Sequence, residues 1–133
     1  MPLPPLPKQN KNREASFSLK FREWLMKNPR ISCSFEIKDT RGKNSLKFSE
    51  VTDVQRNYGM SIKGDRGTLI RVQGLAGEPD YVYFRNAPAY LVINYPQGWV
   101  ICDIETFIME DKRSKTRSLS WGRAKMLSTV VVA

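Results

Sequence analysis

Glu36 and Lys38 stand one residue apart in the run Cys33-Ser34-Phe35-Glu36-Ile37-Lys38-Asp39-Thr40. In an extended chain alternate side chains share a face. The spacing therefore aims the carboxylate and the ammonium the same way, with Phe35 and Ile37 opposite. Glu36 can hold a divalent ion, and the backbone carbonyl of Ile37 is a natural further ligand. Magnesium takes oxygen ligands and keeps several waters. In phosphodiester hydrolysis such an ion polarises the phosphate and acidifies a bound water. An adjacent lysine orients that water or stabilises the developing negative charge. An ion of this kind, magnesium or manganese, is the cofactor such a pair would use. A Glu-x-Lys pair on an edge strand is also common as a plain solvated ion pair, so its meaning depends on what surrounds it.

The chain has no histidine. That removes Ser-His and Cys-His nucleophilic catalysis and every histidine metal ligand. Two cysteines without histidine make no zinc site of usual spacing. Cys33 and Cys102 sit in apolar runs and read as buried thiols of a reducing compartment. Any catalysis must run on carboxylates, lysines, hydroxyls and a hard metal ion. The 133 residues, 41% of them hydrophobic, suffice for one domain with one core. No apolar run approaches a membrane span, and the start lacks the apolar segment of a signal peptide, so a cytoplasmic chain with no membrane partner is expected. Twenty-two Lys and Arg against 13 Asp and Glu give a net charge of +9. Such a balance suits a polyanion, nucleic acid ahead of acidic lipid.

Helical spacing of Phe17, Phe21, Trp24 and Leu25 predicts a first helix from about Glu14 to Lys27, capped by Asn12. Residues 1–13 read as a flexible, proline-rich and basic arm ahead of a domain spanning 14–133. Residues 31–39 form the strand of Glu36 and Lys38, and residues 41–44 a turn. A second helix is expected after a Ser49 cap, with Val51, Val54 and Tyr58 on its apolar edge and Gln55 beside them. Strands follow at 68–73, 81–84, 89–95 and 99–102. Asp103 should cap a short helix, and a last helix begins near Ser118 or Ser120. The order predicts a single α/β domain, a central mixed sheet flanked by helices on both faces. The expected core includes Phe21, Trp24, Phe35, Ile37, Val51, Val54, Leu69, Ile70, Val82, Leu91 and Ile93.

This arrangement resembles the PD-(D/E)XK nuclease superfamily, in particular RecU-type, archaeal-type and phage Holliday junction resolvases. Residues Phe35 to Thr40 look like the family's Phe-Glu-x-Lys-x-Thr segment. Lys47-Phe48-Ser49 through Gln55 looks like the run to its helix glutamine, and Thr68 to Val72 sits where its next core strand belongs. The resemblance covers about residues 14–73 and implies a restriction-endonuclease-like core. It also implies an endodeoxyribonuclease with Glu36 as metal ligand, Lys38 as catalytic lysine and Gln55 ordering the site. The family's upstream Pro-Asp is missing, since no acid lies between Pro29 and Glu36. Two substitutes remain open. Asp80 follows Pro79 into a strand, and Glu14 begins the first helix as the acid of archaeal-type resolvases does. Each also has a plain reading, a turn for Pro79-Asp80 and a helix-dipole partner for Glu14.

Arg41, Lys43 and Lys47 flank the expected site, and Lys112, Arg113, Lys115 and Arg117 form a second cluster, both suited to DNA phosphates. Tyr81, Tyr83, Tyr90 and Tyr95 alternate, either stacking on bases or covering a packed or dimer-facing sheet. Two symmetric cuts in a four-way junction imply a homodimer, and the resemblance places the protein inside a cell, a phage-infected bacterium included. If no second carboxylate reaches Glu36, the same scaffold would bind nucleic acid without cutting it.

Overall fold

A computed structural model describes residues 10–27, 33–73 and 79–133, without the side chains of residues 10–12, 71–80 and Val82. A four-stranded mixed sheet forms the centre. Its order is β1 (Ser34–Asp39), β5 (Ala89–Tyr95), β6 (Gly98–Asp103), β8 (Val130–Val132). β1 and β5 run parallel, with Glu36 level with Leu91 and Lys38 level with Ile93. The other two pairings are antiparallel. Two further ribbons stand apart from this sheet. β2 (Ser45–Lys47) pairs with β7 (Ser118–Ser120), and β3 (Thr68–Gln73) with β4 (Pro79–Phe84).

Helix α1 (Asn10–Lys27) covers one face of the sheet, where Phe17 and Phe21 are buried with Val92 and Ile101 and pack against Phe35, Ile37 and Trp99. Helices α2 (Asp53–Lys63), α3 (Ile104–Arg113) and α4 (Trp121–Leu127) lie on the other. There Ile62, Ile104, Phe107 and Ala124 bury Leu91, Ile93, Val100 and Cys102. Because β5 is covered on both faces, its sequence is an almost unbroken apolar run. The expected α/β architecture with a mixed sheet and helices on both faces is the observed one. No helix among the described residues is long and apolar enough to cross a membrane.

Several expected details differ. α1 starts at Asn10, so Asn12 lies inside it and Glu14 falls in its second turn. Residues 1–9 of the expected arm, and 31–32 of the expected strand, lie outside the described residues. Ser49 sits in a 3-10 turn, and the cap of α2 is Thr52. Residues 68–73 do form a strand, but it is not the core neighbour of β1; that place belongs to β5. β3 lacks the two-sided apolar character a central strand needs: Leu69 is 59% exposed. Val54 is 78% exposed, so neither belongs to the core. Asp103 makes no cap hydrogen bond, because its carboxylate accepts Lys63 Nζ at 2.6 and 2.7 Å. Cys102 is buried and Cys33 half-buried; both are free thiols.

Candidate functional site

Glu36 and Lys38 leave β1 on the face of α2, as strand alternation requires. Lys38 Nζ lies 3.7 Å from Glu36 Oε1. The same oxygen accepts a hydrogen bond from Gln55 Nε2 at 2.9 Å. Gln55 is itself held by a capping box. Its Oε1 accepts from the Thr52 N–H at 3.0 Å, and Thr52 Oγ1 accepts from the Gln55 N–H at 3.2 Å. With the amide oxygen already engaged, the NH2 end must face Glu36, and it can only donate. The contact therefore favours an ionised Glu36. The signature Thr52-x-x-Gln55 is legible in the sequence, where Ser49 distracts from it. A cavity of about 40 Å³ opens beside Glu36 and Gln55, walled by Tyr58, Gly59, Tyr90 and Ile104.

Partial burial pushes the Glu36 carboxyl above its ordinary value, Lys38 pulls it back, and the negative charge of Glu14 adds to the rise. Glu14 thus belongs to the electrostatics of the site. Its helix is pinned nearby: Arg13 Nε lies 3.2 Å from Oδ2 of the buried Asp39 at the end of β1, an ion pair without hydrogen-bond alignment. The folded pKa of Glu36 exceeds its unfolded one. Its stabilising contribution is therefore complete below about the ordinary value of 4.5 and is lost as pH rises through the raised pKa. Urea titrations should show wild type and Glu36→Gln equally stable under acid conditions. The variant should become the more stable of the two toward neutral pH. The comparison cancels opposite contributions such as Glu110, whose carboxyl is held below its usual range chiefly by Arg123 and whose stabilising effect is lost on acidification.

Asp80 lies in β4 opposite Val72, on a ribbon that is not hydrogen-bonded to β1; its side chain is outside the described residues. Among the described residues no three His, Cys, Asp or Glu gather as a ready metal cluster. Magnesium requires no such cage, being held through one or two carboxylates while keeping waters. Glu36 supplies one such carboxylate, and Glu14 on α1 is a like charge that adds to the rise burial causes. The Ile37 side chain packs on the α1 face while its carbonyl lies in β1 between the two site residues.

Strand pairing brings together the chain segments that carry the two basic clusters. The β2–β7 ribbon sets Lys47 against Ser118, and the Phe48 N–H donates to the Arg117 carbonyl at 3.0 Å. Lys115 and Arg117 line a cleft of about 780 Å³ with Ser49, Thr52, Asp53 and Arg56. Lys43 and Lys47 are exposed, Arg41 reaches Glu50 at 3.8 Å, and Lys112 and Arg113 end α3, Arg113 paired with Glu110 at 3.0 Å. Sequence reasoning missed Arg56. It binds Asp111 at 2.6 Å, the Phe48 and Val51 carbonyls at 2.6 and 2.9 Å, and sits over the Phe107 ring, so it anchors the cleft wall. An arginine following the helix glutamine is its only sequence signal.

The geometry defines a half-buried acid, a neighbouring lysine, a helix amide that orients the acid, and a cleft at the start of α2 lined by Arg56, Lys115 and Arg117 together with Asp53 and Asp111. No protein-family model matches the chain, nor does any curated protein or solved structure.

Proposed function

We propose that the chain is a metal-dependent DNA endonuclease of the PD-(D/E)XK type, acting on branched DNA as a Holliday junction resolvase does. The observation that carries this is the bond from Gln55 on α2 to Glu36, beside Lys38, on the strand that runs parallel to the next core strand β5. Glu36 and Glu14 would hold magnesium or manganese, with Asp80 the further candidate. Once bound, the ion supplies phosphate polarisation and a more acidic water. Lys38 orients the water and offsets negative charge on the phosphate. Gln55 fixes the Glu36 rotamer. Lys43, Lys47, Lys112, Lys115 and Arg117, with Arg41 and Arg113 once released from Glu50 and Glu110, contact phosphates, so binding weakens with salt. A homodimer would place two such sites for symmetric cuts.

A second reading, DNA binding without cleavage, draws on the absence of a ready cluster of metal-binding side chains among the described residues. A labelled four-way junction separates the two. The expected result is cleavage that needs magnesium, stops with a chelator, and slows about 10²–10³-fold in Lys38→Ala. Junction binding by the wild type with no cleavage in magnesium or manganese overturns the first reading and leaves the second.

A further inference from the structure

The β3–β4 ribbon has two unlike faces. Ile70 and Phe84 turn inward and pack against the core. On the outer face Tyr81 and Tyr83 alternate along β4, 58% and 57% exposed, with Leu69 directly opposite Tyr83. The four tyrosines of the hairpin region therefore divide. Tyr95 is buried, its hydroxyl donating to the Leu119 carbonyl at 2.9 Å, and Tyr90 stacks on Phe35. Tyr81 and Tyr83 have no such cover. Tyr83 is also held in place, its hydroxyl donating to the Arg66 carbonyl. Gly67, at φ +73°, lies beneath it; a Cβ there would fall 3.0 Å from the ring and 2.3 Å from the Phe84 carbonyl oxygen. The glycine lets the chain pass close beneath the ring, the rest of which stays exposed.

Arg66 and Arg85 flank these rings, both exposed and without an ion-pair partner among the described residues, and they outnumber the adjacent exposed Asp65. Charge decides the occupant. A second copy of this chain would bring its own +9 against the same arginines. A polyanion carrying flat π-faces meets both the cations and the rings. In duplex DNA the base faces are stacked away, whereas unpaired bases expose them.

We propose that the outer face of the β3–β4 ribbon, Tyr81 and Tyr83 with Arg66 and Arg85, is a stacking platform for unpaired bases of a nucleic acid. This deepens the nucleic-acid reading above by naming single-stranded segments as what the protein holds, and it does not depend on cleavage. The test is anisotropy of a fluorescein-labelled oligothymidylate against an equally long labelled duplex, using the full chain.

Stacking on an aromatic ring is sequence-tolerant and its loss is large, so Tyr81→Ala with Tyr83→Ala should weaken oligothymidylate binding about 30-fold or more. Duplex binding, carried by phosphate contacts, should change less than about twofold and keep its salt slope. Tyr83→Phe, which keeps the ring and loses only the hydroxyl bond, should retain single-strand affinity. It controls for a folding defect in the double variant, as do matched urea midpoints. Equal oligothymidylate affinity in wild type and double variant overturns the proposal. So does a double variant that turns a wild-type dimer into a monomer with single-strand binding intact, because the face is then covered by a second copy. A wild type that binds oligothymidylate through these tyrosines but cuts no junction overturns the endonuclease reading alone. A wild type that cuts junctions regardless of the tyrosines overturns the platform alone. One that binds no nucleic acid overturns both.

Discussion

Glu36→Gln is expected to reduce magnesium-dependent junction cleavage to background while binding the junction at least as tightly as wild type. The substitution keeps the size of the side chain and an acceptor for Gln55 Nε2, now 2.9 Å away. It removes the negative charge that a hard cation requires. It also removes an anion from a basic surface, so phosphate binding has no reason to fall. Gel-shift and cleavage assays on one junction read both effects. Cleavage at wild-type rate by Glu36→Gln would end the catalytic reading. Glu14→Gln and Asp80→Asn then assign the second carboxylate. The true ligand is the one whose loss raises the magnesium concentration needed for half-maximal cleavage.

Phe21→Ala is expected to lower the unfolding free energy by about 3–5 kcal/mol, the usual cost of emptying a large aromatic site. A domain of this kind has about 5–15 kcal/mol in total. Phe21 is 1% exposed, and its ring meets Phe35 and Trp99 edge-on at 4.9 and 5.5 Å, with Phe17 and Trp24 stacked at 6.3 and 6.1 Å. Four rings cannot all relax into the space of one. The same cluster holds α1, and with it Arg13 and Glu14, against the sheet, so loss of stability and loss of site electrostatics should appear together. Val54→Ala, on the exposed edge of α2, should fall within about 0.5 kcal/mol of wild type. Urea denaturation measures both.

The legible parts of this fold are those written by local period. The stripe of Phe17 and Phe21, the alternation at residues 34–39 and the apolar run at 89–95 each state their own burial. Partnership is not local, and no local period states it. Which strand lies beside β1 depends on two-sided coverage of β5, whereas the bounds of β3 follow from its own alternation. The β2–β7 pairing joins segments more than 70 residues apart through three residues each, too short to carry a pattern. At the site, Glu36, Lys38 and Gln55 were readable as types and spacing. Their convergence, and the electrostatic reach of Glu14, are products of packing on opposite faces of one strand.

β1 has a strand neighbour on one side only among the described residues. A free edge invites pairing with another chain, and charged side chains on it discourage this. The charges of Glu36 and Lys38 on this strand therefore also discourage self-association. Apolar replacement at both Glu36 and Lys38 would leave β1 a smooth aliphatic and aromatic border, and such a protein would be lost to aggregates before its chemistry was measured.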